Sequence, residues 1–352
     1  MTTKMLSASE QSLLEASELL KAGELVGFPT ETVYGLGANA FDKDAVLRIF
    51  AAKGRPANNP LIIHIWSREQ LDNICIPSPT AEKLMDAFWP GPLTLIMPRK
   101  PQVPTEVAAG LDTVAVRMPS HPVALALLKT SGVPIAAPSA NRSGKPSPTT
   151  AQHVYKDMGG RIPMIIDGGP CDVGLESTVL DCCSEVPCIL RPGGVTKAML
   201  EDVLGMEVTV AGSVLRPLEK GEKALSPGMM YQHYAPDGQV TLVEGESEDV
   251  VAAMRLLCSH AVSQGHKTCA MCFTEHVEML GEYQPHDIGS KDNPEEVAHR
   301  LFDTLRQLDE ENMEVIFSEV VPPEGVGLAV MNRLGRAAAF RSVQAKKVLE
   351  NR

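Results

Sequence analysis

Short apolar runs alternate with amphipathic stretches over the first two hundred residues. Runs at 24–30, 61–65, 93–99, 113–119, 134–140, 164–169, 177–182 and 188–193 read as strands bounded by Gly and Pro. Helical spacing falls at 8–21, 42–52, 79–88, 121–130, 149–158 and 196–204, with Asp42 and Thr149 placed as N-caps. Strands interleaved with helices predict an α/β fold. Several neighbouring strands are joined by links too short for a helical crossover, so the sheet is predicted to be open, twisted and mixed. From 206 to 238 the pattern lapses into Gly, Pro and charge without period, which reads as a linker. Alternation then resumes: a strand at 239–245, a helix at 248–263, strands at 268–273, 286–290 and 314–321, and a last helix over about 328–339. Asn293-Pro294 caps another helix, with Val297, Leu301, Leu305 and Leu308 on one face. That is a smaller, parallel, Rossmann-like α/β domain. The predicted division is 1–207, a linker at 208–238, and 239–352.

Composition changes this picture little. Hydrophobic residues make up 44% and charged residues 22% of 352, an ordinary globular balance. The net charge of −12 argues against a generally basic nucleic-acid coat, while leaving room for a local basic patch. No apolar run is long enough to span a membrane, and the acidic residues within the first twenty argue against a secretory leader. The eight cysteines are scattered. Cys269 and Cys272 form a C-x-x-C inside the apolar run TCAMCF, which reads as a buried strand rather than a redox or zinc motif. A cytoplasmic chain is the expectation.

Candidate chemistry gathers at strand ends. Gly35 to Ala40 match G-x-G-x-x-A, but polar Thr30-Glu31-Thr32 precede the glycines and no acid ends the next strand. The dinucleotide fingerprint therefore does not apply. Lys53 and Arg55 sit on a Pro/Asn loop that runs into the strand LIIHI. Two cations held rigidly this way suit phosphate oxygens; a solvated helix end is the other reading. Ser139, Asn141, Ser143 and Ser147 follow the strand PIAA, where hydroxyls and amides can hold phosphate or ribose or simply form a polar loop. Thr113 with Arg117, Ser177-Thr178 and Arg191 are further strand-end groups. His64 alone reads as a core histidine. There is no G-x-S-x-G, no H-E-x-x-H and no cysteine in a nucleophile context. Cations and hydroxyls without an evident covalent nucleophile suit nucleotidyl transfer, where positioning and charge neutralisation dominate.

Taken in order, PTETVYGLG, the K-x-R of KGRPANNPL, the S-x-N of PSANRSGKPSPT, GLESTVLD and LRPGG resemble the YrdC-type threonylcarbamoyl-AMP synthases. The segment SPGMMYQHYAP (226–236) and the C-terminal α/β domain resemble the long, two-domain form of that family. The resemblance implies a reaction of L-threonine, bicarbonate and ATP to threonylcarbamoyl-AMP and pyrophosphate. A separate machinery would then pass the threonylcarbamoyl group to adenosine 37 of tRNA. It further implies that Lys53, Arg55 and Asn59 hold the ATP phosphates, Lys53 and Arg55 as the catalytic cations. Thr113, Ser139, Asn141, Ser147 and Arg191 would complete the nucleotide site. Thr32, His64, Arg117, Ala137 (through its backbone) and Ser177 would hold threonine, and Tyr231 and Tyr234 would fold over the cleft as a lid. Mg²⁺ is expected on the phosphates, with no site built from protein side chains alone. Gln232 departs from the basic residue expected beside Tyr231. Two alternatives stand beside the synthase. One is a double-stranded RNA or tRNA module, which the acidic charge disfavours, although a weak tRNA contact stays open. The other is a different carbamoyl source, as in hydrogenase-maturation relatives, whose additional domains have no candidate segment here.

Overall fold

In the computed structural model, residues 2–216 and 234–351 are described. The chain divides into two compact units. Of the described residues, the first comprises 2–143 and 147–214; the second comprises 144–146, 215–216 and 234–351.

The first unit is built on an eleven-stranded sheet. In chain order its elements are β1 (Lys4–Ser7), α1 (Glu10–Lys21), β2 (Val26–Phe28), β3 (Gly35–Asn39), α2 (Lys43–Lys53), β4 (Ile62–His64), α3 (Pro79–Phe88), β5 (Leu93–Pro98), β6 (Thr113–Arg117), α4 (Pro122–Ser131), β7 (Ile135–Ala137), α5 (Ala151–Met158), β8 (Met164–Asp167), β9 (Thr178–Asp181), β10 (Cys188–Arg191), α6 (Lys197–Leu204) and β11 (Thr209–Val210). The spatial order is β1-β8-β2-β3-β7-β4-β6-β5-β9-β10-β11, with parallel and antiparallel pairs intermixed as expected. β11 pairs with β10, so this edge strand lies within the stretch whose pattern reads as linker.

The helix boundaries follow the caps. Asp42 accepts hydrogen bonds from the Asp44 and Ala45 amides (2.9 and 3.1 Å) and starts α2, while Gly54, at φ +62°, ends it in the left-handed region. Asp42→Ala should lower stability by about 1 kcal/mol, read by denaturant unfolding; no change would remove the cap's energetic role. For α5 the cap is Thr150, which accepts from the His153 amide, one residue after the predicted Thr149. The apolar pattern misses β1, β3 and the last short strand and helix of the chain. β3 is GLGAN, a poor strand former by composition. Its glycines are required by packing: a Cβ on Gly35 would lie 2.9 Å from the Phe28 ring, and one on Gly37 would lie 2.7 Å from Ile135. They serve the sheet, in keeping with the rejection of a dinucleotide loop.

The second unit contains β12 (Gln239–Glu244), α7 (Ser247–Ser263), β13 (Thr268–Cys272), β14 (Pro285–Asp287), α8 (Pro294–Glu310), β15 (Val315–Ser318), α9 (Gly327–Ala337), β16 (Ser342–Gln344) and α10 (Ala345–Glu350). All its strand pairs are parallel, in the order β14-β13-β15-β12-β16. That order differs from the 3-2-1-4-5 arrangement of dinucleotide-binding sheets, because β15 is inserted between β12 and β13. Asn293 caps α8, accepting from the Glu296 amide, with Pro294 in the first turn. Cys269 and Cys272 lie fully buried in β13, and burial pushes the Cys272 thiol up to about 12. Among the described residues no helix is long and apolar enough to cross a membrane.

Candidate active site

Strand alternation decides which predicted residues share a face. In β6, Thr113, Ala115 and Arg117 point one way, while Val114 and Val116 enter the main core with Ile63 and Leu95. Register carries the first face across the sheet: Ala137 opposes Ile62, Ile62 opposes Ala115, and His64 pairs with Arg117. A bulge between Ile189 and Arg191 sets Arg191 opposite Val179, which belongs with Ile62, Ile96 and Ala115 to a small cluster on this side. Thr113, Ala137, His64, Arg117 and Arg191 therefore stand on one face of the sheet.

The loops at its strand ends are sewn together by backbone hydrogen bonds. Tyr34 N donates to Pro148 O, Leu36 N to Pro138 O and Val173 N to Glu31 O, at 2.8–2.9 Å. The Tyr34 hydroxyl donates to Gly169 O at 2.7 Å. On the other side, Gly193 of LRPGG rests on the GLEST segment. A Cβ there would fall 2.4 Å from Thr178 N and 2.6 Å from Glu176 O, so only glycine fits. The segments 31–36, 138–148, 169–178 and 193 thus meet.

Their side chains form three polar groups. In the first, the buried Arg117 donates from Nη1 to Thr32 Oγ1 (2.8 Å) and from Nε to Gly91 O (3.2 Å), and its Nη2 pairs with Glu31 Oε1 at 2.6 Å. Thr30 and Thr32 hydroxyls lie 2.9 Å apart. Burial by itself raises the Glu31 pKa, but the Arg117 charge and the hydrogen bonds outweigh it, leaving the carboxyl below its usual value. Buried His64, whose ring meets Phe28 edge-on at 5.9 Å, is pushed down to about 3 by burial and then by the Arg117 charge, so it is neutral at physiological pH.

In the second group, Lys53, the last residue of α2, is buried and donates from Nζ to Ser139 O and Asn141 O, both at 2.5 Å. Ser139 Oγ donates to Asn141 Oδ1 at 2.5 Å. Arg55 Nη2 donates to Asn59 O and Pro60 O (3.0 and 3.2 Å), and its guanidinium lies 5.7 Å from the Phe50 ring centre. Asn59 is buried with Oδ1 lacking a hydrogen-bond partner, the kind of orphaned atom that a ligand satisfies. In the third group, Ser147 donates to Glu176, Ser177 Oγ lies 2.7 Å from Thr94 Oγ1, and Arg191 donates to Ser177 O and Oγ, both at 3.2 Å.

Thr113 and Ala137 stand on the same face outside these three groups, and Ala137, a strand residue without a polar side chain, fits a role through its backbone. Tyr234 is buried in the second unit, 5.1 Å from the Phe302 ring, with the Arg333 guanidinium 5.9 Å away. Tyr231 and Gln232 lie outside the described residues. The motifs gave no role to Glu31, Glu176 or Thr94. The available signal was Glu31 itself: an acid between two threonines at the end of a buried strand must find a cation. Among the described residues no group of three His, Cys, Asp or Glu side chains could hold a metal. The site's donor set of cations, hydroxyls and amides suits oxyanions.

The family described as Telomere recombination, the Sua5/YciO/YrdC domain, matches residues 18–193. The threonylcarbamoyl-AMP synthase C-terminal domain matches 195–339. The threonylcarbamoyl-AMP synthase of Bacillus subtilis (strain 168) is 47% identical over 347 residues, covering 97% of both chains. That of Pyrococcus abyssi is 47% identical over 331 residues, 94% of each. The crystal structure of P. abyssi Sua5 complexed with L-threonine superposes with a TM-score of 0.90 at 45% identity, covering 97% of this chain and 98% of that one.

Proposed function

The chain belongs to the threonylcarbamoyl-AMP synthase family, and on that premise we propose how its own residues make threonylcarbamoyl-AMP from L-threonine, ATP and bicarbonate. The enzyme is a nucleotidyltransferase with ATP and threonine as substrates. The relatives are synthases and give no support to a double-stranded RNA module.

Arg117 carries the assignment of the threonine end. It is a buried guanidinium with fixed direction, and a carboxylate is the ligand that a fork of this kind takes in two parallel hydrogen bonds. The crystal structure of P. abyssi Sua5 complexed with L-threonine supports threonine as the amino acid bound. Thr32, neutral His64, Ser177 and the Ala137 backbone surround the rest of the amino acid. Lys53, Arg55 and Asn59 hold the phosphates, with Thr113, Ser139, Asn141, Ser147 and Arg191 completing the nucleotide site. Mg²⁺ bound with ATP would supply further charge neutralisation at the phosphates that Lys53 and Arg55 hold.

The threonine amine and bicarbonate give N-carboxy-threonine with loss of water. Its carboxylate attacks the α-phosphorus and expels pyrophosphate. Arg117 orients the nucleophile, while Lys53 and Arg55 stabilise charge on the leaving group. Carbamate and mixed anhydride are both labile in water, which gives a closed site its purpose. It also implies direct use of the product by the machinery that acylates tRNA, in the cytoplasm where ATP and tRNA meet.

The deciding test is pyrophosphate release from ATP with threonine and bicarbonate omitted in turn. Release should require both, with serine a poor replacement for threonine. Release without threonine would overturn the assignment of the acceptor.

A further inference from the structure

The second unit holds chemistry that the synthase reaction does not use. Loops leaving the carboxyl ends of three adjacent strands, β12, β15 and β13, bring together Ser247, Glu319 and His276. Ser247 Oγ lies 2.9 Å from His276 Nε2, and His276 Nδ1 lies 2.8 and 2.9 Å from the two Glu319 carboxylate oxygens. His276 and Glu319 are 6% and 3% exposed, whereas Ser247 is exposed. The Phe273 amide donates to Glu319 Oε2 at 2.8 Å and holds the carboxylate in place. With the Nδ1 proton directed at Glu319, Nε2 is left to accept the serine proton, the order of parts that activates a hydroxyl nucleophile.

Ser247 and Glu319 also line a cavity of about 250 Å³, whose other walls include Val243, Val250, Phe273 and Lys291. Ser247 opens α7 after a bend at Gly245 (φ +149°), and Glu246 at the N-cap makes no side-chain cap. Its first-turn amides therefore remain available to an oxyanion beside the serine.

We propose that this is a second catalytic site, an esterase-type centre for a small carboxylic ester, with Ser247 as nucleophile, His276 as base and Glu319 as the positioning carboxylate. Ser247 Oγ adds to the carbonyl carbon while His276 Nε2 takes its proton, and the carbonyl electron pair moves onto oxygen. Collapse breaks the ester C–O bond, and the departing alkoxide takes the proton from His276. Water then attacks acyl-Ser247 in the same way, releasing the carboxylic acid and restoring the serine.

The test uses the full chain with p-nitrophenyl acetate and a fluorophosphonate probe. Saturable hydrolysis and a probe adduct on Ser247 are expected, and both should vanish in Ser247→Ala while threonine-dependent pyrophosphate release stays within twofold of wild type. Glu319→Gln should lower kcat with little change in KM. Equal hydrolysis by wild type and Ser247→Ala, or no adduct on Ser247, would overturn the proposal and leave the three residues as a tether between α7 and the sheet.

Discussion

Lys53→Met will reduce kcat/KM for pyrophosphate release by about 10²–10³-fold, the loss that follows when one preorganised donor is removed from a developing oxyanion. Methionine keeps most of the lysine volume, so the end of α2 stays packed; what disappears is the charge and the donor. Lys53 also has a structural task, because its ammonium ties the Ser139 and Asn141 carbonyls. Leaving buried acceptors without a donor costs about 1–3 kcal/mol, so the variant should also unfold at lower denaturant. Lys53→Arg separates the two effects. It retains charge but not the compact ammonium that fits between two carbonyls 2.5 Å away, and should keep part of the activity. A Lys53→Met enzyme that turns over within twofold of wild type would move phosphate binding away from the end of α2.

Most of the scaffold was legible because its signals are local. Asp42 starts α2, and the apolar runs around Ile63, Leu95 and Val116 found the central strands. The misses share a cause: they are elements that exist only through their neighbours. GLGAN has little intrinsic strand tendency and becomes β3 because β2 and β7 supply partners on both sides, while Phe28 fills the space its glycines leave. The site was readable from the residues only in part. TVAVR by itself puts Thr113 and Arg117 on one face. That His64 and Ala137 share that face is a matter of register, which the sequence does not contain, and their roles were available only through family resemblance. The Ser247, His276 and Glu319 contacts span 29 and 43 residues along the chain, so no motif could announce them.

Arg117→Ala should do more than weaken threonine binding. The guanidinium is the partner of a carboxylate only 5% exposed, and breaking a buried pair from one side costs about 3–5 kcal/mol because the remaining charge is stranded. The pH dependence should reveal which group is stranded. In the wild type the Glu31 pKa is held below its ordinary 4.5, so the pair contributes stability above that value and loses it as pH falls through the lower folded pKa. Without Arg117 the dominant remaining influence is burial, which raises the pKa above 4.5. The variant's contribution then has the opposite sign: full stability below 4.5, lost as pH rises through the new folded value. Denaturant unfolding between pH 4 and 7 should therefore show wild type and Arg117→Ala diverging as pH rises. The double variant Glu31→Gln with Arg117→Ala should recover much of the lost stability and erase that divergence, because neither charge of the pair is left stranded. It should recover threonine affinity only in part, because removing Glu31 lifts a repulsion on the amino-acid carboxylate while the attraction and donors of Arg117 stay lost. Threonine affinity restored to the wild-type level in the double variant would show that Arg117 serves the fold alone, and the amino-acid carboxylate would have to be sought at another cation on the same face, Arg191.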